Sequence, residues 1–221
     1  MRNPRPVLGA LGAVAFVAAL ATVASSQTTS STASTPAGPK SSDTGSMFSG
    51  AAAPDLPTPL RLRAFAVNMN STGPRNSGTL DIVVERWSTP TEVDRLRTVL
   101  EEKPDNLLSA VQKIRPRAGF VRTPNSLGWD LQFARETQLP DGSHRIILGS
   151  DRPMSFWELQ NQPRSAEYQF MLVEIRLDKD GKGQGTLAPA AMVNYDTDTK
   201  TLEIENYSSQ PVRLTQVEIV K

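Results

Sequence analysis

The chain has 221 residues, with 24 Lys and Arg side chains against 23 Asp and Glu, a single His and no Cys. This charge balance gives no support to a nucleic-acid partner, which requires a clear excess of basic residues. Without Cys the chain can form neither disulfides nor thiolate metal sites, and a single His excludes a His-rich zinc site. No phosphate-cradling glycine motif is present, so we expect neither a metal nor a cofactor.

Residues 1–26 have the pattern of a signal peptide. Arg2 and Arg5 precede an uncharged run of mostly Ala, Val, Leu and Gly at 7–24, and small residues follow at a suitable cleavage position. An uncleaved membrane anchor is the alternative, because roughly 18 apolar residues can just span a bilayer. The small residues favour cleavage. We therefore expect an exported protein, periplasmic or extracellular, with no stable membrane insertion after cleavage.

Residues 27–59 are dominated by Ser, Thr, Ala, Pro and Gly. Such a segment cannot bury enough apolar surface to offset the entropy lost on ordering, so we interpret it as a disordered linker. Residues 60–221 remain, about 160 residues, which is the size of one domain with a single core. The predicted layout is signal peptide, linker and one β-rich globular domain.

Most of that domain shows the period-two alternation of apolar and polar residues that is typical of strands. Turn residues separate the segments, and short loops between neighbours indicate antiparallel pairing. The predicted strands are 60–67, 79–87, 119–122, 129–136, 145–149, 168–177, 186–195, 201–207 and 212–220.

Between the second and third strands the pattern becomes helical. Thr89, Pro90 and Glu92 predict a capping box at the start of a first helix, and Asp105 is expected to cap a second. Their apolar stripes should face the core. The predicted fold is α+β and mainly β: an antiparallel sheet of about eight or nine strands, barrel-like or a sandwich, with two short helices packed on one face or end.

Two motifs suggest chemistry that their context does not support. His144 is the residue that a Ser-His-Asp triad would have to use, but there is no Gly-x-Ser-x-Gly elbow, and we expect a solvated turn residue. Segment 178–185 begins like a calcium loop, with Asp178, Asp180 and a Gly at the sixth position. Lys182 occupies the fifth ligand position, however, and a glycine-rich hairpin loop is the better interpretation.

The segment least like an ordinary connection is 151–164, which carries two aromatic, two Arg and two acidic side chains between strands. It could close one end of a barrel as a structural plug, with its Arg and acidic residues paired. Alternatively, it could line a pocket in which the aromatics supply contact area and an Arg holds an anionic group. The candidate ligand-binding residues are Arg152, Phe156, Trp157, Glu158 and Arg164.

The chain resembles a group of exported bacterial proteins whose function is unknown. The resemblance lies in segment 151–164, at Arg86, Trp87 and Ser88, and in the stretch 202–214. The distinctive pieces are Asp-Arg-Pro at 151–153, Phe-Trp-Glu at 156–158 and Asn-Gln-Pro-Arg at 161–164. The resemblance implies bacterial export and carries over no activity, so no functional residue can be transferred.

The favoured functional hypothesis is a non-catalytic domain that binds a small ligand or a protein partner. An apolar cavity inside the barrel would favour a small hydrophobic ligand, and a filled interior would favour recognition at the surface. The first alternative is a carboxylate-based hydrolase, which needs two acids roughly 5 to 10 Å apart in one cleft. The second is a structural envelope protein. The acids to compare for a hydrolase are Asp130, Glu136, Asp151 and Glu158.

Overall fold

A computed structural model describes residues 54–68, 77–124, 126–154, 167–196, 201–207 and 210–220. The predicted signal peptide lies outside these ranges. The described chain forms ten strands in an antiparallel, nearly closed, barrel-like sheet with two short helices, which confirms the predicted fold class. In chain order the elements are β1 Leu60–Val67, β2 Ser77–Val84, α1 Pro90–Glu102, α2 Leu107–Gln112, β3 Gly119–Arg122, β4 Trp129–Leu131, β5 Phe133–Gln138, β6 His144–Ser150, β7 Phe170–Leu177, β8 Lys182–Asp196, β9 Thr201–Asn206 and β10 Val212–Ile219.

The sheet nearly closes because β4 and β5, which are consecutive in the chain, lie at its two ends: β4 pairs with β3, and β5 pairs with β6. Its strand order is β4-β3-β2-β1-β10-β8-β7-β6-β5, with β9 paired to β8 alone. β4 and β5 follow each other in the chain and are separated only by Gln132, whose N–H donates to the Gly149 carbonyl at 2.9 Å. The prediction of one continuous strand over 129–136 was therefore wrong, because the strand is interrupted at Gln132. An extra residue of this kind interrupts the alternation and bends the strand.

The loop before β8 is shorter than predicted. β8 begins at Lys182, and the turn comprises Asp178 to Gly181, where Gly181 has a positive φ of 75°. The Asp178 carboxylate accepts hydrogen bonds from the backbone N–H groups of Asp180 and Lys182, both at 2.9 Å. The Asp178 side chain therefore stabilises a hairpin turn, which is the interpretation that we favoured over a calcium loop.

Side chains from alternate strand positions fill the barrel interior. Adjacent strands place apolar residues opposite each other, as in the pairs Ile82 with Val121 and Leu148 with Val173. The interior is thus a packed core. Its fully buried side chains include Leu62, Leu80, Ile82, Val84, Val121, Leu131, Ile146, Leu148, Met171, Ile175, Leu177 and Leu214.

The two helices pack outside the barrel. α1 begins with the predicted capping box: the Thr89 hydroxyl accepts from the Glu92 N–H, and the Glu92 carboxylate accepts from the Thr89 N–H. Asp105 was wrongly predicted as the second cap, because it lies in a 3-10 turn and α2 starts two residues later. Within the described ranges, no helix is long and apolar enough to cross a membrane.

Candidate functional site

Only the first part of the predicted site falls within the described residues. The side chain of Arg152 is exposed, and its Nη2 donates to the Gly128 carbonyl at 3.4 Å. Phe156, Trp157, Glu158 and Arg164 lie outside the described ranges. Their assignment to a ligand site stays a prediction.

Met154, just after Arg152, is part of the barrel core. It is 6% exposed and belongs to the same apolar cluster as Leu148 and Met171. Its N–H donates to the Pro189 carbonyl at 2.7 Å. The described start of this segment is therefore held in the fold by packing and a hydrogen bond.

An apolar concavity lies between the helices and the outer face of the sheet. Its accessible volume is about 70 Å³, with almost no polar surface. We call it the helix groove. α1 contributes Leu96 and Leu100, α2 contributes Leu107 and Val111, and the sheet contributes Phe133, Ile147, Gly149, Ser150, Phe170, Leu172, Val193, Leu202 and Ile204.

Strands buried on both faces create the sheet side of this groove. All seven residues of β6 are buried, although a strand with one wet face would bury only alternate residues. Ile146 and Leu148 face the barrel interior, while Ile147 and Gly149 between them face the helices. Consecutive apolar runs such as Ile-Ile-Leu at 146–148 are the sequence signal for this second buried face, and sequence reasoning missed it.

A glycine shapes the groove floor. Gly149 pairs with Phe133 and Leu172 on the neighbouring strands, and a Cβ added to it would meet both side chains at 3.5 Å. An ordinary van der Waals distance means that a methyl group would fit there without strain. At the rim, Ile204 of β9 is 40% exposed.

Charged residues border the groove on the same outer face of the sheet. Strand register places Arg135 beside Ile147, and Ile147 beside Glu174. One step further along the strands, Arg145 pairs with Arg176, and both guanidinium groups contact the Glu174 carboxylate, at 3.0 and 3.4 Å. This face therefore changes within a few residues from apolar to predominantly cationic.

Arg97 of α1 brings another cation to this border. Burial lowers the pKa of Arg135, and the nearby positive charge of Arg97 lowers it further, although Asp94 acts in the opposite direction. Arg97 forms an ion pair with Asp94, but its Nε atom is buried and has no hydrogen-bond partner.

A second depression lies on the far side of the barrel, around irregularities in β1 and β10. It is larger, at about 420 Å³, and its lining is mixed. Arg63 is bonded to Asp81 at 3.1 Å, and Lys182 faces Glu218 across the β8–β10 pair. Its charged side chains are thus matched within the protein, unlike the lining of the helix groove, which is apolar.

His144 is not the solvated turn residue that we expected. It is 8% exposed, and a hydrogen bond of 2.8 Å joins its Nδ1 to Oε1 of Glu136, which is 6% exposed. The other oxygen, Oε2, accepts from the Asp55 N–H at 2.7 Å. Both side chains lie on the inward face of the β5–β6 hairpin, which explains their burial. The pair anchors the start of the described chain to one end of the barrel.

Three of the four acids named for the hydrolase hypothesis lie within the described residues, and Glu158 lies outside them. Asp130 is bonded to Arg117 at 2.7 Å on the surface, whereas Glu136 is enclosed with His144. The Asp151 backbone N–H donates to the Gln132 side chain at 3.1 Å. Nor do the described residues contain three His, Asp or Glu side chains placed to hold a metal ion.

No protein-family model, curated protein or solved structure matches the chain.

Proposed function

We propose that this is an exported, non-catalytic binding protein that holds the apolar part of a small ligand in the helix groove. The observation that carries the proposal is an accessible, almost wholly apolar concavity in a molecule whose barrel interior is already filled. Accessible apolar surface of this kind is stabilised by covering it with another apolar group.

The size of the groove limits what it can hold. Drug-sized ligands occupy pockets of roughly 300–1,000 Å³, well above the accessible 70 Å³ here. The groove therefore suits a slim group such as an alkyl chain, with the rest of the ligand lying outside it. The half-exposed Ile204 at the rim would cover part of that chain.

Binding of neutral alkyl chains to the full-length protein tests this proposal. Calorimetric titration with straight-chain alcohols of increasing length should show affinity rising with chain length until the groove is filled, because each buried methylene contributes about 0.8 kcal/mol. Gly149→Ala adds one methyl group to the groove floor and should weaken binding about fourfold, by the same increment.

Gly78→Ala is the matched control, because nothing lies within 4 Å of a Cβ added at this exposed strand position. It should bind the alcohols as the unmodified protein does. Equal affinities of the two Ala variants would contradict the proposal, as would an affinity that does not depend on chain length.

A further inference from the structure

We infer that the depression on the far side of the barrel is a second ligand site, which binds a small zwitterion of the amino-acid type. Its lining comes from β1, β2, β8 and β10, and its volume of about 420 Å³ is in the range of small-molecule sites. It shares no lining residue with the helix groove. The inference therefore goes beyond the proposed function.

An extra residue in β10 shapes this depression. Between Leu214 and Val217, β10 contains one more residue than the paired part of β8, and its register with β1 shifts at the same place. Gln216 lies in this bulge and lines the depression, and its φ of 51° is in a region that residues other than glycine rarely adopt. Bulges redirect side chains, and both bulges and strained backbone are frequent at functional sites.

Two opposite charges in the lining are balanced but not paired. Lys182 of β8 and Glu218 of β10 are opposite each other in the strand register, and both are exposed. In the described part of the chain, neither side chain forms an ion pair or a hydrogen bond. Arg63 differs from them, because Asp81 already binds it. A zwitterion offers a carboxylate to Lys182 and an ammonium to Glu218, so it is complementary to both.

The apolar part of the lining indicates what the rest of the ligand is. Phe65 is 39% exposed although its side chain is large and apolar. Its ring offers apolar contact area in the same depression as the two charges, and covering that ring with an apolar group is favourable. A free amino acid with an aromatic side chain combines the three features that this lining would recognise.

The test compares three probes that carry the same phenyl group. Phenylalanine is zwitterionic, phenethylamine has only the ammonium, and 3-phenylpropanoate has only the carboxylate. Titrated at neutral pH into the full-length protein, phenylalanine should bind about tenfold more tightly than either singly charged probe. Lys182→Gln should remove its advantage over phenethylamine, and Glu218→Gln should remove its advantage over 3-phenylpropanoate.

Lys103→Gln and Glu102→Gln are the matched controls, because both residues are exposed at the end of α1 and neither lines the depression. They should leave the affinity for phenylalanine unchanged, and thermal melting checks that every variant is folded. Equal binding of the three probes would overturn the inference, and so would no binding of any probe. A preference for phenylalanine that survives both Lys182→Gln and Glu218→Gln would overturn it too. The alcohols test the helix groove separately, so the two failures are distinguishable.

Discussion

The barrel interior and the layer beneath the helices are both apolar, but they are packed to different degrees. Leu148 and Ile175 in the interior are 0% exposed, whereas Phe170 and Leu202 in the outer layer are each 7% exposed and border an open groove. Interior residues are enclosed by strands, while in the part of the chain that the structure describes the outer layer is covered by two short helices and by β9. The comparison indicates that the interior contributes more to stability than the outer layer does.

Truncation of a matched pair of leucines should show the largest difference. Leu148→Ala opens a cavity in the closed interior and should lower the free energy of unfolding by about 3 kcal/mol. Leu202→Ala enlarges a groove that is already open to solvent, and should cost about 1.5 kcal/mol. Urea unfolding of both variants measures the two losses. Equal losses would mean that the two layers are equally well packed.

The buried pair Glu136 and His144 provides a polar test of the interior. Glu136→Ala leaves the Asp55 N–H and His144 Nδ1 without their acceptor, and should cost about 1–3 kcal/mol. Glu203→Ala is the control, because Glu203 is an exposed acidic residue on β9 and its loss should stay within about 0.5 kcal/mol. Chemical denaturation of both variants measures the loss in the free energy of unfolding. Similar losses would show that the buried hydrogen bonds of Glu136 add nothing to stability.

The helix cap tests the outer layer alone. Thr89→Ala removes the acceptor of the Glu92 N–H and should destabilise α1 by about 1 kcal/mol. Thr89→Ser keeps the hydroxyl and should behave almost like the unmodified protein. Hydrogen exchange should become faster in α1 while the interior strands keep their protection. Faster exchange throughout the barrel would show that the two layers unfold together.

The smallest expected effect is a pH dependence at the same cap. Burial raises the pKa of Glu92, but hydrogen bonds from Arg86 and from the Thr89 N–H outweigh it and hold the pKa below the ordinary 4.5. A carboxyl whose pKa is lower in the folded state stabilises the fold fully above that ordinary value. The stabilisation is lost as the pH falls through the lower, folded pKa.

Unfolding free energies measured from pH 6 to pH 3 should therefore fall more in the unmodified protein than in Glu92→Gln. The difference should be under about 1 kcal/mol, since Glu92 and Arg86 are partly solvated. Identical pH profiles would show that the Arg86 contact adds nothing to the stability of the outer layer.

The regular parts of the fold were predictable from the sequence. Period-two alternation placed β1 almost to the residue, and the Thr-Pro-Thr-Glu pattern at 89–92 identified the capping box of α1. Both features depend on local chemistry, which the sequence carries directly. The interruption at Gln132 was not predictable, because an extra residue in a strand is decided by which two strands it must reach.

The candidate site was harder to predict than the fold. The helix groove forms where β5 to β9 and both helices meet, so no short segment contains it. Its constituent stripes, such as Leu96 and Leu100, were expected to face the core, and a partly open core was not considered. Likewise, His144 is buried because it lies on the inward face of a hairpin. Its position beside a turn in the sequence had suggested a side chain exposed to solvent.

The pairing of β1 with β10 has a consequence for the order in which the molecule can be assembled. The hydrogen bond from the Thr215 hydroxyl to the Phe65 carbonyl joins residues 150 positions apart in the chain. As the polypeptide is synthesised, β1 lacks this neighbour until β10 has emerged, and contacts of such separation form slowly. The barrel can therefore be completed only after synthesis has passed β10. Until then β1 lacks its partner on one side, and the chain stays in an incompletely folded form.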